Sequence, residues 1–312
     1  MQTAPGRGSD ILMETAPPQG EDRARAYWTE RPQAARQSAW LANSIIERTL
    51  YRRISGGESS EHWVAWLFRS YFSGRRFRAV LSPGCGTGSH EVMLAELGVA
   101  ERIDAFDFSE TALAAARELA RHARVDVNFY SDDINSFTVR EESKYDLVFC
   151  SGSVHHVKEL ERFFAAVKAA LVADWYFVFN EYVGQCYNIY DPKQVEIINR
   201  LYRCFPPELR SGVADAFANA TIDACLQQDP SESVRSKLIL DFAGYYFDVE
   251  LLRPYGGGIL HPMYPLLNHE ALASDDARSS TIVKLLLEFE EILMEAPGGL
   301  TSDFVLCVCR PK

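Results

Sequence analysis

Three alternate glycines, Gly84, Gly86 and Gly88, sit where an apolar run (Val80-Leu81-Ser82-Pro83) passes into an amphipathic one (Ser89-His90-Glu91). Glycine lets the backbone turn sharply and come close to a ligand with no Cβ in the way. The helix start behind the loop offers N–H groups without intrahelical partners. Such a loop also serves as a plain strand-to-helix turn, so its surroundings must distinguish the two roles. Asp107 ends the next apolar run about 20 residues on, where a carboxylate can accept both hydroxyls of a ribose, and Phe108 follows it. Asp133 and Ile134 follow the third run, placed to meet an exocyclic amine such as that of adenine. Features of this kind at three consecutive strand ends describe a nucleoside pocket on the carboxyl edge of a parallel sheet. Asp104 and Asp132 read as exposed or capping neighbours.

Proton transfer is the second chemistry in the chain. His155 and His156, in Val154-His155-His156-Val157, lie just past the fourth apolar run, and Glu181 ends the fifth in Phe179-Asn180-Glu181-Tyr182. Histidine exchanges a proton near neutral pH, and either imidazole or Glu181 can serve as a base. The competing expectation is structural: one of two adjacent histidines points inward and caps the next helix, and Glu181 caps or holds a lid. No metal-ligand spacing is present, so no metal is expected; convergence of a histidine with Glu181 is the arrangement that could ligate a divalent ion. The seven cysteines are odd in number, scattered and without a CxxC pair, which favours a reducing cytoplasm over disulfides or zinc. Apart from Cys85, within the glycine loop, they read as small buried hydrophobes.

The elements that must position these groups follow from periodicity. Short β-rich runs at 79–81, 103–108, 125–130, 145–151 and 175–182 alternate with amphipathic helices at 89–97, 109–122 and 160–172. That alternation predicts βαβ units, hence an α/β, Rossmann-like, mostly parallel sheet with helices on both faces. Residues 1–22, rich in Pro and Gly, are expected to be a disordered tail, and 23–77 an N-terminal helical lid carrying Tyr27 and Trp28 over the pocket. Arg53 reads as a surface arginine or a partner for a ligand carboxylate. Residues 78–183 form the expected core and 184–244 a helical substrate cap, with Asp229-Pro230-Ser231-Glu232 a helix start. The stretch 245–312 returns to the core with strands at 246–252 and 304–309. Between them, helix 279–295 carries the stripe Ile282, Leu285, Leu286, Phe289, Ile292, Leu293, read as a core face, with a dimer contact the lesser alternative.

Across 78–181 and the closing strands the chain resembles the class I S-adenosylmethionine-dependent methyltransferases. The residues that carry the resemblance are Gly84-Cys85-Gly86-Thr87-Gly88, Asp107, Asp133, Tyr145-Asp146-Leu147-Val148 and Val154-His155-His156-Val157. It implies a seven-stranded sheet whose last strand inserts antiparallel beside the fifth. It also implies S-adenosylmethionine as cofactor: Gly84, Gly86 and Gly88 cradle its methionine part, Asp107 holds its ribose, and Asp133 with Ile134 reads its adenine. Ser82, Cys85, Phe108 and Ser151 complete the expected contacts, and Tyr182 and Tyr187 join Tyr27 and Trp28 around the acceptor. Two positions depart from the family pattern. Ser82 stands where an acid usually meets the cofactor's amino group, with Glu91 or carbonyls near Cys150 and Ser151 as substitutes. Ala173-Asp174-Trp175 replaces the usual Pro-Gly-Gly.

The resemblance implies methyl transfer to an O, N or C nucleophile by in-line displacement. A nicotinamide dinucleotide is the alternative ligand, although its GxGxxG fingerprint asks for glycine where Ser89 stands. A scaffold without turnover, serving as a partner subunit, is the non-enzymatic alternative. The 312 residues carry a net charge of −11, which leaves no field to attract nucleic acid and suits a small uncharged or cationic acceptor. Aromatic residues of the cap region (Tyr187, Tyr190, Tyr202, Phe205, Phe217) favour an apolar or aromatic one. No run is long and apolar enough for a membrane span, and a cytoplasmic monomer or homodimer is expected.

Overall fold

Strands that are apolar on both faces need cover on both, and this requirement organises the fold. The computed structural model describes residues 39–139, 144–273 and 276–312. The expected tail, Tyr27 and Trp28 therefore lie outside the described residues. A single helical turn, Ala39–Ala42, leads into α1 (Ser44–Ile54), whose first N–H groups are accepted by the Asn43 side chain. Helix α2 (Trp63–Trp66) continues as a wider turn through Leu67–Tyr71. Then come β1 (Phe77–Pro83), α3 (Ser89–Glu96), β2 (Ala100–Asp107), α4 (Glu110–Ala123), β3 (Asn128–Ser131), β4 (Tyr145–Ser151), α5 (Leu160–Ala170) and β5 (Leu171–Tyr182). The chain continues through α6 (Pro192–Arg203), α7 (Ile222–Gln228), α8 (Ile239–Tyr246) and β6 (Phe247–Gly256). Two short helices, α9 (Leu260–Met263) and α10 (His269–Leu272), precede α11 (Ala277–Glu295) and β7 (Phe304–Pro311).

The seven strands lie in the order β3-β2-β1-β4-β5-β7-β6. The first five run parallel, and β7 inserts antiparallel between β5 and β6, as expected. Because the order reverses between β1 and β4, the loops after these two strands diverge and leave a crevice at their carboxyl ends. No helix among the described residues is long and apolar enough to cross a membrane.

One face of the sheet is covered by α1, α2 and α11, with Trp63 stacked on Phe149 of β4 at 5.7 Å. From Ser44 to Phe72 the expected lid is thus a structural layer, and among its described residues the turn at Trp40 approaches the crevice. The opposite face is covered by α5 and α8 through Phe163, Phe164, Phe177 and Phe247, all buried. Each such side chain contributes about 1.5–3 kcal/mol of burial. Since α8 packs on α5 and leads directly into β6, residues 239–244 belong to this layer and not to the inserted cap.

Helix α11 differs from its expected orientation. The buried positions are Ser279, Val283, Leu286, Leu287 and Glu290, whereas Leu285, Phe289 and Ile292 are exposed. A buried charge accounts for the rotation. Glu290 Oε1 accepts the N–H groups of Gly257, Ile259 and Leu260, and its Oε2 lies 3.2 Å from Arg53 Nη1. Arg53 also donates to the Leu287 and Tyr255 carbonyls and to Glu291, so it is not a surface arginine. Asp104 is likewise buried, holding Tyr145, Asn128 and Arg102 across β2, β3 and β4, and is not an exposed neighbour. On the exposed side of α11, Ile282, Leu285 and Phe289 face Leu201, Phe205 and Leu209 across an apolar groove of about 330 Å³.

Removing one partner of a buried, hydrogen-bonded ion pair strands the other. Glu290→Ala is expected to lower the unfolding free energy by about 3–5 kcal/mol in urea titration. A loss under about 1 kcal/mol would show that the Gly256–Leu260 turn holds itself.

Candidate active site

The glycine loop is shaped by packing as much as by room for a ligand. Gly84, Gly86 and Gly88 all have positive φ, at 70°, 55° and 71°. A Cβ at Gly84 would come within 2.7 Å of Ser153, and one at Gly88 within 2.7 Å of Phe129 and 2.8 Å of Ala116. The loop is therefore wedged between the turn after β4 on one side and β3 with α4 on the other. Asp107, at the end of β2, ties it down: Oδ2 accepts Gly86 N–H at 2.9 Å and Oδ1 accepts Ser109 N–H at 2.8 Å. A carboxylate has about four lone-pair sites, so Asp107 retains acceptor capacity beyond its backbone partners. Burial, assisted by the charge of Asp133, raises the Asp107 pKa, while the three backbone N–H groups around it oppose the rise. Asp133 is half-buried, with Oδ1 accepting Asn135 N–H, and Ile134 beside it is buried. Phe108 and Cys85 are half-buried on the same rim. Burial keeps the Cys85 thiol protonated. Ser151 ends β4 opposite Asn180 of β5.

Ser82 is buried behind the loop, its hydroxyl donating to Glu91 Oε1 at 2.6 Å. Glu91, in the first turn of α3, is buried and its second oxygen has no partner. Burial pushes its carboxyl up to about 7, against the lowering effect of the Ser82 bond. Ser82 of β1 and Glu91 of α3 thus form a buried pair behind the loop.

The proton-handling groups converge at the ends of β4 and β5. Glu181 is 1% exposed; its Oε1 accepts the N–H groups of Ser153 at 2.6 Å and Val154 at 2.7 Å, and Oε2 lies 2.8 Å from His155 Nδ1. Both oxygens of Glu181 are engaged, and Oε2 is placed to orient His155. Ser153 Oγ in turn donates to the Pro83 carbonyl at 3.0 Å, which locks this turn to the start of the glycine loop. Burial alone would lower the His155 pKa, but the bond and charge of Glu181, with Glu232 and Asp229, hold it up at about 9. His156 is lowered by burial and by the adjacent His155 charge. Neither histidine points away to cap α5: their ring centroids are 4.1 Å apart.

The expected helix start at Asp229 is instead a turn beneath His156. Asp229 Oδ1 accepts the Ser231 N–H and hydroxyl, Ser233 takes φ of 52°, and no helix propagates. His156 Nδ1 lies 3.2 Å from Ser231 Oγ. Asp229, Ser231, Glu232 and Asn188 were not singled out as site residues in the sequence, because the Asp-Pro-Ser-Glu pattern is also that of an ordinary helix cap. Tyr182, buried, is part of an aromatic wall with His261, Phe304 and Trp40. Tyr187 is half-buried at the foot of the cap, its N–H donated to the Ser233 carbonyl.

Residues 80–174 match the profile of the methyltransferase domain family. Over 93 residues the chain is 30% identical to an uncharacterised protein of Synechococcus sp. (strain ATCC 27144 / PCC 6301 / SAUG 1402/1), a match that covers 30% of this chain and 22% of that protein. Among solved structures it is similar to an S-adenosylmethionine-dependent methyltransferase from Mesorhizobium loti, at 16% identity and TM-score 0.44, covering 75% of this chain and 91% of the other. It is also similar to geranyl diphosphate methyltransferase in complex with S-adenosylmethionine, at 14% identity and TM-score 0.45, covering 75% and 78%.

Since Glu181 satisfies two buried N–H groups as well as an imidazole, its truncation exposes a structural cost before any chemical one. Glu181→Ala is expected to lose about 2–4 kcal/mol of stability and Glu181→Gln less, both read by thermal unfolding. Equal losses in the two variants would contradict the assigned acceptor role.

Proposed function

We propose that this chain, a class I S-adenosylmethionine-dependent methyltransferase by its matched domain and strand order, methylates a small molecule held between the glycine loop and the His155–Glu181 pair. The observation that carries the reading is Ser153, which joins that pair to the loop through Glu181 on one side and the Pro83 carbonyl on the other. The residues present fit the cofactor. Glu91 has a buried oxygen without a partner for the amino group, and Asp107 keeps acceptor capacity for the ribose after holding Gly86. The dinucleotide reading falls with the domain match.

S-Adenosylmethionine supplies a methyl group on a sulfonium and leaves as the neutral thioether. The chain must hold the acceptor in line with that bond, where positioning alone is worth roughly 7–11 kcal/mol in favourable cases. His155, fixed by Glu181, takes the acceptor's proton. With a pKa near 9 it is a strong acceptor that is mostly protonated at neutral pH. A positive charge brought into the cleft shifts it toward its basic form. The wall of Tyr182, His261, Phe304 and Trp40 favours an apolar or aromatic acceptor carrying a hydroxyl or an acidic carbon.

Calorimetry with S-adenosylhomocysteine is expected to show one site, weakened at least roughly 30-fold in Asp107→Ala, which loses charge-assisted hydrogen bonds. Equal affinity in the variant would remove the ribose assignment. Glu91 binds an ammonium only when ionised, and with its pKa near 7 the ionised fraction grows between pH 6 and 7.5. Affinity should rise roughly five- to tenfold over that interval and stay flat in Glu91→Gln. With phenolic and enolisable acceptors, His155→Ala should cut S-adenosylhomocysteine release by about 10²–10⁴ while leaving cofactor affinity intact. Binding without release from any acceptor would instead indicate a non-catalytic partner subunit.

A further inference from the structure

The two imidazoles, Glu232 and their supports form a cluster of which the proposed proton transfer uses only His155. Each Nε2, of His155 and of His156, lies 3.9 Å from an oxygen of Glu232, too long for a hydrogen bond. Ligand atoms of the three side chains all lie within 4.8 Å of one another. The opposite ring nitrogens are both engaged, Nδ1 of His155 with Glu181 and Nδ1 of His156 with Ser231, whose hydroxyl is held by Asp229. Histidines that ligate metals show this same arrangement: a carboxylate or hydroxyl fixes one nitrogen and aims the lone pair of the other.

Among the described residues, buried oxygens beside the cluster have no partner. Asn188 donates its amide to Glu232 Oε1 while its own Oδ1 is unpartnered, and Asp229 Oδ2, whose charge acts on both histidines, is unpartnered too. The carboxylates of Glu181, Glu232 and Asp229 lie around the two imidazoles. We propose that His155 Nε2, His156 Nε2 and the Glu232 carboxylate bind one divalent transition-metal ion. Bonds of about 2.0–2.2 Å to N and O span the two 3.9 Å separations with the ion between them. Two imidazoles with one carboxylate suit zinc, cobalt, iron or manganese better than magnesium or calcium.

Binding displaces any proton from Nε2, so it is favoured at higher pH. Only the catalytic consequence rests on the methyltransferase reading: an acceptor hydroxyl on an open position of the ion gives its proton to solvent more readily, relieving His155 of that task.

The test is titration of chelator-stripped full-length protein with Co²⁺, followed by visible absorption and calorimetry, with S-adenosylhomocysteine binding measured in parallel. One equivalent is expected, without the thiolate charge-transfer band that cysteine ligation would give. His156→Ala and Glu232→Gln should each weaken binding roughly 100-fold and Ser231→Ala about tenfold. Retained S-adenosylhomocysteine affinity in these variants shows that they are folded. No Co²⁺ binding by wild type that binds S-adenosylhomocysteine, or unchanged affinity in both ligand variants, overturns the metal site. Co²⁺ binding without S-adenosylhomocysteine binding overturns the methyltransferase reading and leaves the metal site standing.

Discussion

A carboxylate with almost no contact with water, Glu181, holds the carboxyl edge of the sheet together. Burying its charge is tolerable because donors from the turn after β4 surround it: two backbone N–H groups and the His155 ring. Through Ser153 that turn is bonded to the end of β1, so the position of the imidazole and the course of the glycine loop are set by one network. The close approach of Ser153 to Gly84 is the steric side of the same constraint, since a Cβ there would push the network apart.

The same physics recurs away from the site. Glu290 anchors the turn after β6 and draws Arg53 inward, and Asp104 ties three strands at the opposite end of the sheet. Each is a buried acid whose cost is offset by several donors from distant segments, and each fixes the relative placement of elements that apolar packing alone would leave free to slide. Around His155 and His156 the balance is different. Among the described residues, carboxylates outnumber the cationic groups and some oxygens have no partner, the condition expected where a ligand completes the set.

Much of this was legible in the residues. Strands apolar on both faces predicted the covered parallel sheet, and their boundaries hold to within a few residues for β4, β5 and β7. Gly84, Gly86, Gly88 and Asp107 come together as the spacing required. Less legible was anything that depends on which way a polar side chain turns. The apolar stripe of α11 suggested one face, and the buried Glu290 selected another. Asp229-Pro230-Ser231-Glu232 has the chemistry of a helix cap, and its hydrogen bonds are indeed local, but they support His156 and no helix follows.

The sequence by itself therefore determined the class of sheet, the glycine loop and the carboxylates at the strand ends, because burial on both faces and backbone freedom are written within short windows. Tertiary structure alone decided that both histidines face one point, that Glu91 lies buried against Ser82 behind the glycine loop, and that Glu232 of the cap lies beside the imidazoles. A buried charge settles where its donors are, and those donors come from segments far apart along the chain, which periodicity does not record.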